Sequence, residues 1–283
     1  MTKVKIVTDS GAKLTKQELK DFDIPVIPLS VEIDGTIYQD GVTITPEEFL
    51  DEMAKSKEIP RTSQPPIGAF QEAYEQAADG DDSVQILSMH ISSGLSGTVN
   101  AAHQAATMVK NEVVTFDTYS ADRSQGFVVL AAARVAQAGG SMEEVLAAAE
   151  KARANAYIYL SFRNLDNMVA GGRLSKTQGL IGNLLNIKVG AFVDKEGKVD
   201  VAVKGRGMKT LNKFNDGVIE KMKGFKQMKG IGVTHAGIPE EAQAMAERLN
   251  AIWPDIDILV SVATPLISTH TGLGALAILF EAE

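Results

Sequence analysis

Val84-Gln85-Ile86-Leu87-Ser88-Met89 runs directly into His90-Ile91-Ser92-Ser93-Gly94-Leu95-Ser96-Gly97-Thr98, and an alanine-rich segment from Val99 to Met108 follows. The apolar run reads as a buried strand and the alanine-rich segment as a helix. The serine- and glycine-rich stretch is therefore a loop between a strand's carboxyl end and a helix's amino end, where open α/β sheets place ligands. The first turn of such a helix has unpaired backbone N–H groups that suit an anion. Gly94 and Gly97 permit close approach to the backbone, and the hydroxyls of the loop can donate to a carboxylate or phosphate. The plainer alternative is a serine-rich turn that only caps a helix.

Outward from this stretch, strands and helices alternate. Val4–Val7 reads as the first strand and ends at Thr8-Asp9-Ser10-Gly11; Thr15 with Glu18 forms a capping box for a helix ending near Phe22. Pro25 and Pro28 confine residues 24–33 to a sheet edge, and Asp34-Gly35 turns a hairpin, so a small excursion is expected near 25–45. Thr45-Pro46-Glu47-Glu48 starts a helix. Pro60-Arg61-Thr62-Ser63-Gln64-Pro65-Pro66 precedes a helix from Ile67 to Ala78, with capping as the ordinary role for Thr62 and Ser63. A strand at Val113–Asp117 and helices at Gly126–Ala138 and from Ser141 to about Ala154 follow. This alternation predicts a parallel sheet with helices on both faces.

Beyond residue 160 the pattern changes. Expected there are a strand at Tyr157–Phe162, a short helix at Asn164–Ala170 closed by Gly171-Gly172-Arg173, and an apolar helix over Leu174–Leu185. A hairpin of 187–193 with 198–203 comes next, then helices at 208–222 and 239–250 and strands at 230–234, 256–262 and 275–280. A hairpin among α/β units implies a mixed sheet. The expected fold class is thus α/β in two domains: residues 1–160 as a three-layer α/β/α parallel sheet, and residues 161–283 as a mixed-sheet α/β domain.

Composition narrows the function. The chain has 283 residues, a net charge of −8 and no cysteine. Thiol catalysis, disulfides and zinc–thiolate sites are excluded, and a nucleic-acid backbone is disfavoured as the main partner. No apolar run is long enough to span a bilayer, no secretory pattern opens the sequence, and a cytoplasmic location is expected. No long apolar surface pattern stands out, which favours a monomer. The four histidines, His90, His103, His235 and His270, show no metal-ligand spacing. No P-loop, dinucleotide fingerprint or nucleophile elbow is present, so neither a metal nor a cofactor is expected. Ser93 with His270 could form a serine hydrolase acting on acyl esters, although no third group is singled out to orient the histidine. A phosphate or small-anion binder is a third alternative.

Five segments then acquire a joint meaning. Thr8-Asp9-Ser10, Thr62-Ser63-Gln64-Pro65, Ser92 to Thr98, Gly171-Gly172-Arg173 and the His270-Thr271-Gly272 loop occur in an order and spacing that resembles the DegV family over the whole chain. The resemblance implies a bacterial cytoplasmic, non-catalytic protein that binds one long-chain fatty acid between two α/β domains. It implies presentation of the carboxylate to a separate ATP-dependent fatty acid kinase, whose acyl phosphate feeds phospholipid synthesis, with room for transient contact with a membrane surface or an acyltransferase. Carried over by residue, Thr62 and Ser93 would bond the carboxylate with the Gly94 N–H, and His270 would complete the network. Ser63, Ser92 and Thr271 would be neighbours. Arg173, with Arg206 as a competitor, would stand at the pocket mouth or the kinase interface. Val189 and Leu273 depart from the family's usual prolines. An acyl tail burying about fifteen methylenes gains on the order of 12 kcal/mol gross, less the cost of ordering; Leu174, Leu180, Ile181, Leu184 and Leu185 are candidate tunnel wall.

Overall fold

The computed structural model describes residues 3–174 and 187–283. In chain order the first half comprises β1 (Val4–Asp9), α1 (Lys16–Phe22), β2 (Val26–Ile27), β3 (Ser30–Ile33), β4 (Thr36–Gln39), α2 (Pro46–Lys55), β5 (Arg61–Ser63), α3 (Ile67–Ala78), β6 (Gln85–His90), α4 (Thr98–Ala106), β7 (Val113–Asp117), α5 (Asp122–Gln137) and α6 (Met142–Asn155). The second comprises β8 (Ala156–Phe162), α7 (Asp166–Ala170), β9 (Ile187–Val193), β10 (Val199–Arg206), α8 (Met208–Lys223), β11 (Met228–His235), α9 (Pro239–Asn250), β12 (Ile258–Val262), α10 (Pro265–Thr271) and β13 (Leu276–Ala282). The expected helix over 174–185 lies outside the described residues, apart from Leu174.

The chain divides into two compact units, Met1–Ser30 with Ser63–Ala156, and Val31–Thr62 with Tyr157–Glu283. Against the expected division at 160, the units part between Ala156 and Tyr157, and Val31–Thr62 groups with the carboxyl-terminal unit and not with the amino-terminal one.

In the first unit, β2, β1, β6 and β7 form a sheet in that order, all parallel. Strands buried on both faces account for the near-continuous apolar runs of β1 and β6. Val4, Ile6, Leu87, Met89 and Phe116 pack against α5 and α6. Val7, Ile27 and Ile86 pack against α3 and α4, on the other face. The expected three layers are present. The capping boxes at Thr15 and Ser141 form as their sequences dictate. α5 starts at Asp122, four residues before the expected Gly126. Its first turn holds Asp122, Ser124 and Gln125, polar and buried, so no apolar periodicity announces it. Tertiary bonds fix that turn instead: the Asp122 N–H donates to the Gly11 carbonyl at 2.7 Å, and Arg123 pairs with Glu18.

In the second unit, β10-β9-β8-β13-β11-β12 form a six-stranded mixed sheet. β9 runs antiparallel to both its neighbours, and β11 is antiparallel to β13 and parallel to β12. α8 and α9 cover one face through Val218, Ile219, Met222, Met245 and Leu249. The expected hairpin at Asp34-Gly35 is present, with both residues at positive φ. Its strand β3 also pairs with β5, giving a three-stranded sheet in the order β4-β3-β5. A three-residue strand such as Arg61-Thr62-Ser63 has too little pattern to be read from sequence.

Candidate functional site

In the second unit, β5 carries Thr62 and α10 carries His270. α10 corrects the expectation of a loop around His270. Thr264 caps this helix through the Ile267 N–H, with Pro265 at its first position. That is the same Thr-Pro start that marks α2, so the signal was available in the sequence. Thr62 Oγ1 lies 2.9 Å from His270 Nε2. Thr62 and Ser63 do not cap α3, whose N-cap is Pro66 and receives no side-chain bond; strand pairing instead fixes Thr62 for the histidine.

Several neighbours hold the imidazole. Asn167 on α7 donates from Nδ2 to the Thr269 carbonyl at 2.8 Å, tying α7 to α10. Gly171, just after α7, lies against the ring, and a Cβ there would collide with His270 Nδ1. Burial, and secondarily the positive Arg173, push the His270 pKa down to about 4, so the ring is neutral at neutral pH. Its Nδ1 is buried and has no hydrogen-bond partner among the described residues. Arg173 is half-buried, its own pKa is lowered by that burial, and it donates to the Gly171 carbonyl. The Thr271 hydroxyl donates to the Ile267 carbonyl at 3.0 Å within α10. Arg206, at the end of β10, lines a cleft between β10 and α8.

The first unit supplies the serine-rich loop. Gly97 is the N-cap of α4 and no side chain caps that helix, so the plain capping role is not what these serines perform. Ser92 is buried and its Oγ accepts the Gly94 N–H at 3.0 Å. The Ser93 N–H donates to the Asp117 carboxylate. The Gly94 N–H expected to serve an anion is thus engaged inside the unit, as is the Ser93 N–H. The Ser93 hydroxyl is exposed. Gln64 packs on Gly97, where a Cβ would collide with its amide. Ser63 is exposed.

One buried cluster escaped the sequence reading. Asp9 accepts from the Gly11 N–H at 2.8 Å, the Ile91 N–H at 2.9 Å, His90 Nδ1 at 2.9 Å and Gln125 Nε2 at 3.3 Å. His90 Nε2 lies 2.6 Å from the Ser88 hydroxyl, which lies 2.9 Å from the Tyr74 hydroxyl. Burial pushes the Tyr74 pKa up to about 12, so its hydroxyl keeps its proton. This chain anchors the first residues of the loops that follow β1 and β6. Its trace in the sequence is the alternate placing of Ser88 and His90 on a strand otherwise apolar.

Among the described residues no group of three or more histidines and carboxylates could hold a metal ion, and no helix is long and apolar enough to cross a membrane. Two α/β units, one with a parallel sheet and one with a mixed sheet, and a part-buried threonine–histidine pair in the second, define a two-unit α/β fold class. The chain belongs to the DegV family, whose model, described as an uncharacterised protein, matches residues 3–283. A DegV domain-containing protein of Listeria innocua is 41% identical over 285 residues, covering 100% of each chain. The crystal structure of DegV, a fatty acid binding protein from Bacillus subtilis, superimposes with a TM-score of 0.89 at 32% identity, covering 100% of each chain. The Streptococcus pneumoniae fatty acid kinase B3 protein, loaded with linoleic acid, shares the fold at a TM-score of 0.80 and 22% identity, covering 99% of this chain and 100% of that one.

Proposed function

We propose that this protein binds one long-chain fatty acid and that Thr62 and His270 hold its carboxylate. The observation that carries this reading is the part-buried Thr62–His270 bond beside Arg173. A neutral imidazole with its proton on Nε2 donates to Thr62 Oγ1. The threonine O–H is then free to donate to an anion, while the ring stays uncharged. Arg173 supplies positive potential that a buried carboxylate needs to offset its desolvation. The exposed Ser93 hydroxyl is proposed as a further donor. Ser63, Ser92, Gly94 and Thr271 shape the surroundings, Ser92 by holding Gly94. The fatty-acid binding of the Bacillus subtilis relative supports the ligand class.

The proposed role is non-catalytic: a cytoplasmic carrier that presents the carboxylate to an ATP-dependent fatty acid kinase, whose acyl phosphate enters phospholipid synthesis. The kinase B3 protein of the same fold supports that partnership at the level of architecture. Arg173, beside the Thr62–His270 pair, is the proposed cation for the kinase contact, with Arg206 as the competing candidate. A hydrolase through Ser93 and His270 is less well supported. A base with a pKa near 4 accepts a proton weakly at neutral pH, and among the described residues no carboxylate bonds His270 Nδ1 to orient it.

Calibrated mass spectrometry of an organic extract of the purified protein tests the reading. About one long-chain fatty acid per chain is expected. A chain that is empty and also fails to bind added palmitate or oleate overturns it.

A further inference from the structure

The second unit contains a cleft of about 600 Å³ between β10 and α8. Lys204, Arg206, Lys209, Lys213 and Lys221 line it, and no acidic residue does. Such a concentration of positive charge contrasts with the net charge of −8 on the chain. Among the described residues Arg206, Lys209, Lys213 and Lys221 form no salt bridge. The acids of α8 face other partners: Asp216 pairs with Arg248 and Glu220 with Lys223. The cleft is also partly apolar, through Tyr159, Val203, Phe214 and Val218. Lys221 Nζ sits 5.3 Å from the Tyr159 ring centroid.

Gly217 adds an independent observation. It lies on this cleft in the interior of a sixteen-residue helix. A Cβ built there meets nothing within 4 Å. Glycine in a helix interior is less stable than alanine, and here no packing neighbour requires it. Its missing methyl leaves room in the cleft wall beside the cations.

We propose that this cleft binds a small organic polyanion bearing two or more phosphates on a flat apolar body, the chemistry of a nucleoside di- or triphosphate. The lysines meet the phosphates as point charges and Arg206 as a planar fork. The flat body lies on the apolar wall beside Gly217. A volume of about 600 Å³ lies in the range of small-ligand pockets. The site shares no residue with the Thr62–His270 pair and does not rest on the fatty-acid reading.

Titration of the full-length protein with ATP, without added metal, followed by calorimetry and by amide NMR shifts, tests this. Saturable one-to-one binding is expected, with shifts on β10 and α8. Adenosine and tripolyphosphate should each bind at least tenfold more weakly than ATP. The pair Lys209→Glu with Lys213→Glu should lower ATP affinity at least tenfold. Gly217→Ala should lower it severalfold while the Tm stays level or rises, a combination that a structural defect would not give. Absence of saturable binding at 5 mM ATP overturns the proposal. So does tripolyphosphate binding as well as ATP with no effect of Gly217→Ala, because the cleft is then only a cluster of charge. Fatty-acid content, measured on the same variants, should not change, so the two readings fail separately.

Discussion

Thr62 and His270, 208 positions apart in the chain, meet at 2.9 Å through Oγ1 and Nε2. Each comes from a short element, a three-residue strand and a seven-residue helix. The bond therefore depends on the second unit holding both in register. Thr62→Val keeps the side-chain shape and removes the hydroxyl. A hydrogen bond to a charged group is worth ~1.5–3 kcal/mol, so fatty-acid affinity should fall about ten- to a hundredfold. Calorimetry with oleate checks this, and an unchanged Tm shows that the loss is local.

Stability should depend on pH through His270. Its pKa is about 4 in the fold against an ordinary value of 6.5. Above pH 6.5 the ring is neutral in folded and unfolded chains alike, and its contribution is fully present. As the pH falls from 6.5 to about 4, the unfolded chain takes up a proton that the fold excludes, and stability declines by on the order of 3 kcal/mol. Urea unfolding from pH 7.5 to 4, compared with His270→Gln, isolates this slope; identical slopes would remove the buried neutral ring.

Gly171→Ala should act through the histidine. The new methyl collides with His270 Nδ1, and displacement of the ring breaks the Thr62 bond. Overpacking of this kind costs about 1–3 kcal/mol. Fatty-acid affinity should fall as far as it does in His270→Ala. Gly172→Ala next to it meets no neighbour but sits at φ 70°, and should cost stability with less effect on binding.

Asp9→Asn should loosen the loop ends in the first unit. The carboxylate takes four donors, and an amide directs its own N–H toward some of them. A loss on the order of 2–4 kcal/mol is expected in urea unfolding. Hydrogen exchange at Gly11 and Ile91 should accelerate. Unchanged protection at both amides would mean that Asp9 does not anchor these loops.

The sequence determined most of the architecture because its signals are local. Capping boxes at Thr15, Thr45 and Ser141, the Asp34-Gly35 turn and the apolar runs of β1 and β6 each specify structure within a few residues. The family resemblance directed attention to Thr62 and His270 by number. What only the tertiary structure decided is non-local: that Arg61–Ser63 pairs as a strand, that residues 31–62 belong with the carboxyl-terminal unit, and that a 208-residue separation closes to one hydrogen bond. The Asp9–His90–Ser88–Tyr74 chain and the engaged N–H groups of Ser93 and Gly94 are of the same kind. A buried polar group is satisfied by whatever donor or acceptor the fold brings to it, and no periodicity along the chain encodes that partner.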